Sequence, residues 1–205
     1  MIDLYTYATS NGQRASVMLE ECGLAYTPHK IDLSQGQQKD PSFLKINPQG
    51  QIPVIIDHDR AGAKPITLCQ SGAIMLYLSE KTGKFMPREA SKRAQAQQWF
   101  FQVMTDVSPS SAALFVTTNV LLEATAPVRG FFEQRLLNHF RNCDRRLGEA
   151  EFLGGDISIA DLALYPTVAT RWDLVEKAGD LPHLIRWAGA VASRPGVQRG
   201  MMVPE

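Results

Sequence analysis

Short apolar runs and helical faces take turns along the first part of the chain. The opening run MIDLYTY predicts a strand over residues 2–7, with Tyr5 and Tyr7 on one face by the two-residue repeat. Thr9, Ser10, Asn11 and Gly12 interrupt it, and helical spacing follows over 11–22. Further strands are predicted over 26–33, 54–57 and 66–68. A helix is predicted over 71–81, where Ile74, Leu76, Tyr77 and Leu78 make a broad apolar face, and residues 41–46 suit a short one. The order β-α-β-α-β-β-α describes a small mixed sheet with helices packed on it.

The pattern changes after KTGKFMPREASKR, whose Gly83 and Pro87 punctuate a polar linker. Helical spacing then covers 91–115, 127–147, 159–177 and 182–193, with no convincing strand. The expected fold class is α/β plus all-α, with a mixed domain over 1–82, a linker over 83–89 and a helical domain over 90–205. Within the second half, FLGGDISIADLAL fixes a helix start. Ser158 and Asp161 fit the capping box S-x-x-D, and Ile157 and Leu162 have the spacing of a hydrophobic staple. That pairing is expected to nucleate and aim a core helix, not to perform chemistry.

Composition narrows the function classes. The chain has 205 residues, 21 Lys plus Arg and 21 Asp plus Glu, so its formal net charge is zero. A balanced chain gives no electrostatic reason to expect nucleic acid or an anionic membrane surface as a partner. The N-terminus has no basic stretch followed by an apolar core, and no run approaches the length of a membrane span. The 3 cysteines, Cys22, Cys69 and Cys143, are scattered and odd in number, which suits the cytoplasm and argues against a disulfide framework or a zinc site. His29, His58, His139 and His183 share no metal-ligand spacing, so no metal is expected.

Three stretches carry candidate chemistry. A helix start leaves backbone N–H groups without intrahelical partners, and its dipole favours negative charge. Thr9, Ser10 and Asn11 add side-chain donors at that place, which would stabilise an anion such as a thiolate and lower its pKa. Ser10 or Asn11 acting as a plain helix cap is the competing reading. In NPQGQIPVIID, Pro53 directly precedes a strand, and a cis Ile52–Pro53 bond would turn the Ile52 N–H and C=O toward a peptide, although trans is the commoner isomer. In LCQSGAIMLYL, Gln70 and Ser71 precede a helix, with Ser71 the expected N-cap, and donors there attract a carboxylate.

The pieces IDLYTYATSNG, NPQGQIPVI, QSGAIMLYLSEKTG and FLGGDISIADLAL resemble the glutathione transferase superfamily in order and spacing over essentially the whole chain. The resemblance implies a thioredoxin-like N-terminal domain and an all-helical C-terminal domain. It implies that Ile52–Pro53 is a cis bond whose backbone grips the cysteinyl part of glutathione, and that Gln70 and Ser71 hold its γ-glutamyl end. TSNG, DLSQGQQ, FLKINPQGQIP and SEKTGKF look most like the bacterial Nu-type group, glutathione-binding disulfide-bond reductases. By that likeness Thr9 and Asn11 lie beside the glutathione sulfur and Gln38 touches the ligand. Ser10 takes the position of the activating hydroxyl or cysteine of other classes. Gln70 stands where the superfamily usually has glutamate, and Gln51, facing the glycyl carboxylate, where the Nu-type group commonly has lysine. Tyr7 is the rival sulfur partner, because another large class uses a tyrosine from the end of the first strand. By the same likeness Trp99, Phe100, Phe101 and Met104 lie on a helix that lines the acceptor pocket and dimer cleft, with core packing the competing reading for each.

The expected function is therefore a cytoplasmic, homodimeric glutathione-dependent enzyme, with glutathione as cosubstrate and a small electrophile or disulfide as partner. The alternative is a non-catalytic module of the same fold with weakened glutathione affinity.

Overall fold

The computed structural model describes residues 1–59, 64–121 and 123–204. They form two compact units, one running from Met1 to Lys84 and resuming at Ser193, the other spanning Phe85–Ala192.

The first unit holds β1 (Ile2–Thr6), α1 (Ser10–Cys22), β2 (Tyr26–Lys30), a 3₁₀ turn Gln37–Lys39 and α2 (Pro41–Leu44). β3 (Val54–Asp57), β4 (Ile66–Cys69) and α3 (Ser71–Thr82) follow. The strands form one 4-stranded sheet in the order β2-β1-β3-β4, with β1 parallel to β2 and both β1–β3 and β3–β4 antiparallel. Leu4, Val54 and Ile55 of the sheet are fully buried with Val17, Met18 and Leu19 of α1 and Ile74, Met75 and Leu78 of α3. Each such side chain contributes about 1.5–3 kcal/mol by leaving water. Asp57 ties β3 to α3 from within this core. Its carboxylate accepts from the Tyr77 hydroxyl at 2.7 Å and the Asp59 N–H at 2.9 Å, and pairs with Lys81 Nζ at 2.9 Å. Burial alone would raise its pKa; those partners outweigh burial and hold it below the usual carboxylate value.

The second unit is helical: α4 (Ala90–Gln102), a π-helical turn Val103–Val107, α5 (Ser108–Asn119), α6 (Ala126–Glu149), α7 (Ile159–Thr170), α8 (Trp172–Ala178) and α9 (Pro182–Ala192). The helix predicted over 91–115 is thus interrupted, and Pro109 supplies the reason. The Ser108 N–H and hydroxyl both reach the Val103 carbonyl, the hydroxyl at 2.8 Å, which widens one turn. Pro109 follows in the next turn of an otherwise continuous helix, and the widened turn accommodates its ring and missing N–H. The helix predicted over 159–177 breaks at Arg171 (φ −119, ψ 24), whose guanidinium is anchored on Ser111 Oγ at 3.1 Å and Ser111 O at 2.8 Å.

The capping box forms as the sequence predicts. Asp161 is fully buried and takes the Ser158 N–H (2.9 Å) and hydroxyl (3.0 Å) on one oxygen. Its other oxygen takes the Leu153 N–H (3.0 Å) and Trp187 Nε1 (2.9 Å), so one carboxylate joins a loop, α7 and α9.

The helical domain expected over 90–205 ends earlier. Beyond α9 the chain rejoins the first unit and forms α10 (Pro195–Met201) against α1. Arg194 Nε bonds Glu21 at 3.0 Å, Arg199 Nε bonds Glu20 at 2.7 Å, and Ser16 Oγ donates to the Gly200 carbonyl at 2.6 Å. A Cβ on Gly200 would stand 2.4 Å from Val17 Cα, so glycine sets how closely the helices approach.

Candidate functional site

Strand register brings the sequence-predicted stretches together. Tyr5 of β1 pairs with Val54 of β3, and Val54 pairs with Cys69 of β4. The exit of β1 toward Thr9, the entry of β3 from Pro53 and the exit of β4 toward Gln70 therefore share one end of the sheet. β2, parallel to β1, also leaves at that end, toward Gln38. Neighbouring strands are about 4.7–4.9 Å apart, so side chains from these exits lie within reach of one small ligand.

The N-cap of α1 is Thr9, where the sequence reading offered Ser10 or Asn11. Its backbone is extended (φ −125, ψ 159) and its Oγ1 accepts from the Gly12 N–H at 3.2 Å. A hydroxyl that accepts in this way keeps its hydrogen to donate elsewhere. Ser10 is the first helical residue, half-buried, and Asn11 is exposed. Gly12 lets the helix start approach the end of β1. A Cβ there would stand 2.2 Å from the Tyr7 carbonyl and 2.5 Å from Thr6 Oγ1. Tyr7, the rival, lies just past the end of β1 and is half-buried.

The Ile52–Pro53 bond is cis. Asn47, buried and not singled out from the sequence, shapes the segment before it. Its Nδ2 donates to the Gln51 carbonyl at 2.7 Å and its Oδ1 accepts from the Gln49 N–H at 3.2 Å. Gln51 is exposed, and Gln38 has a buried Oε1 with no hydrogen bond among the described residues. Lys39 was also missed. Its Nζ lies 2.9 Å from where a Gly50 Cβ would sit, beside Gln51, so an ammonium reaches the loop from another part of the chain.

At the third stretch the structure corrects the cap. Gln70, not Ser71, is the N-cap of α3, without a side-chain cap bond, and Ser71 is buried as the first helical residue. Gln70 has φ 71 and ψ 114, a backbone that non-glycine residues rarely adopt. Its side chain is exposed, with Nε2 3.5 Å from Gln49 Oε1.

The protein's own thiols are poor nucleophiles. Burial raises the pKa of Cys22 and Cys69 and pushes Cys143 up to about 12. His29 and His58, far apart in sequence, meet on Asp3 at 2.9 Å and 2.8 Å, yet no His, Cys, Asp or Glu grouping among the described residues fits a metal ion. In the second unit Phe100 is a core residue, 1% exposed, whereas Phe101 is 52% exposed. Arg141 pairs with Asp180 at 2.8 Å and Arg146 Nε bonds the Leu153 carbonyl at 3.0 Å. No helix among the described residues is long and apolar enough to cross a membrane.

Comparison with known proteins gives this geometry its context. The Escherichia coli disulfide-bond oxidoreductase YfcG is 38% identical over 98% of this chain and 95% of its own length. The E. coli disulfide-bond oxidoreductase YghU is 32% identical over 98% and 74%. A glutathione transferase from Pseudomonas putida, solved with one glutathione disulfide bound per subunit, superposes with a TM-score of 0.92 at 30% identity, covering 100% of this chain and 92% of its own. Another from Burkholderia graminis, solved with two glutathione molecules per subunit, gives 0.92 at 33%, covering 100% and 88%. Residues 2–80 match the glutathione S-transferase N-terminal domain and residues 94–190 the corresponding C-terminal domain, and the chain belongs to the glutathione S-transferase family.

Proposed function

We propose that this protein is a glutathione-dependent enzyme that ionises the glutathione thiol for attack on a disulfide or a small electrophile. The observation that carries the reading is the register that gathers residues 9–11, 51–53 and 70–71 at one end of the sheet. The Thr9 hydroxyl, Ser10 and the Asn11 amide, with the backbone donors of α1, hold the sulfur as a thiolate. The Ile52 backbone beside Pro53 pairs with the cysteinyl unit. Ser71 and the start of α3 take the γ-glutamyl carboxylate, and the Gln70 amide oxygen accepts from the γ-glutamyl ammonium. Gln38 and Gln51 contact the glycyl side, where Lys39 supplies the cation.

In disulfide exchange the thiolate attacks one sulfur of R–S–S–R, forms a glutathione mixed disulfide and releases RS⁻, which takes a proton. A second glutathione thiolate attacks the mixed disulfide and yields glutathione disulfide and the second thiol. Two electrons pass from two glutathiones to the substrate, and no protein cysteine takes part. That the P. putida structure holds one glutathione disulfide and the B. graminis structure two glutathione molecules per subunit supports this choice over conjugation. Three protein thiols left unpaired support a cytoplasmic setting, and the same reading takes the chain as a homodimer.

Neutral amides at 51 and 70 favour one rival, a binding module without turnover. Retention on immobilised glutathione together with reduction of a small mixed disulfide establishes the enzyme. Weak or absent retention with no turnover of either a mixed disulfide or a model electrophile establishes the module.

A further inference from the structure

We infer that Arg14 is a positioning residue that fixes the sense of the Asn11 amide, so that its N–H donors and not its oxygen face the glutathione sulfur. The inference rests on the thiolate-binding reading above. Arg14 follows Asn11 by one helical turn on α1 and is fully buried, and among its partners is Asn11 Oδ1, which accepts from Nη1. A guanidinium carries donors only. Whatever amide atom meets it must be the oxygen, and Nδ2 is then turned to the other side. Without that partner the amide is able to turn over and present Oδ1, whose lone pairs repel a thiolate.

The placement also has an electrostatic consequence. Burial lowers the Arg14 pKa to about 10, which leaves it a cation at neutral pH. A positive charge held out of water in the first turns of α1 adds to the positive end of the helix dipole. The carboxylates of the same helix lie at its far end, Glu20 engaged by Arg199 and Glu21 by Arg194. On either side of Arg14, Gln13 and Ser16 bond the Met201 and Gly200 carbonyls of α10.

The test is a titration of the bound glutathione thiol by thiolate ultraviolet absorbance. Wild-type protein is expected to ionise it well below free glutathione; if it does not, the underlying reading falls and this inference with it. In Arg14→Met the bound thiol pKa is expected to rise by about one unit, a tenfold loss of thiolate where the thiol is mostly protonated. The Michaelis constant for glutathione should change much less than turnover. Arg14→Lys, also donor-only, should recover most of the loss. On an Asn11→Ala background Arg14→Met should add only the smaller part that its charge contributes directly. A bound-thiol pKa that Arg14→Met leaves at the wild-type value, or an effect that simply adds to that of Asn11→Ala, overturns the inference while leaving glutathione activation intact. Should Arg14→Met fail to fold, Arg14→Gln decides. Its amide both donates and accepts, so it keeps a polar partner for Asn11 without fixing which amide atom turns away; the thiol pKa must rise, and an unchanged thiol pKa refutes the assignment.

Discussion

At the residue scale, Gln70 joins backbone strain to the proposed binding of glutathione. A non-glycine residue in its backbone conformation costs about 1–3 kcal/mol and persists where the surroundings impose it. Gln70→Gly removes the Cβ penalty, so the protein should melt higher by the equivalent of about 1 kcal/mol while binding glutathione more weakly. Gln70→Glu keeps the shape and restores a charge opposite the γ-glutamyl ammonium. Hydrogen bonds to charged groups are worth about 1.5–3 kcal/mol against about 1 for neutral ones, so affinity should rise several-fold to about tenfold. Calorimetric titration beside thermal melts reads both; equal affinity in all three proteins would place Gln70 outside the ligand site. The sequence showed which residues to examine here, because a helix start after a strand leaves a local signature. It hid the positive φ at Gln70 and the roles of Asn47 and Lys39, which come from loops folding against one another and leave no fixed spacing to read.

At the element scale, periodicity located β3 to the residue and β1, β4, α1 and α3 to within one, since each pairs a compact apolar pattern with clear flanking signals such as Gly23 and Gly83. β2 stops at Lys30, short of the predicted 33, and the breaks at Val103–Val107 and Arg171 escaped notice because apolar spacing continues through them. Periodicity also says nothing of what joins elements, and Asp57 is such a joint. Its folded pKa is depressed, so the stability it adds is present above the unfolded carboxylate value of about 3.9 and is lost as pH falls through the lower folded value. Wild-type melting temperature should accordingly drop as the solution is acidified from about pH 5 to pH 3. Asp57→Asn should melt lower at neutral pH, by the equivalent of about 1–3 kcal/mol, and show a shallower acid slope. Parallel pH profiles for the two proteins would assign the acid loss to other carboxylates.

At the scale of the whole molecule, the unit that carries the candidate site is assembled from both ends of the chain. The sequence concealed this: SRPGVQRGMM has two glycines and a proline within a short stretch, and its apolar positions are too few to announce α10. Yet Gly200 approaches the Val17 backbone so closely that α10 and α1 form a single joint, and α1 presents Thr9, Ser10 and Asn11. The last helix is thus expected to stabilise the proposed glutathione site without supplying a ligand to it. Gly200→Ala places a methyl 2.4 Å from Val17 Cα, which must force the helices apart. Overpacking of that kind costs about 1–3 kcal/mol, and the displaced α1 should weaken glutathione binding. Hydrogen exchange separates this from general destabilisation: amides of α1 should lose protection in Gly200→Ala while those of α7, in the other unit, keep theirs. Uniform loss in both helices, or tight glutathione binding despite an unprotected α1, would show that the site does not depend on this return of the chain.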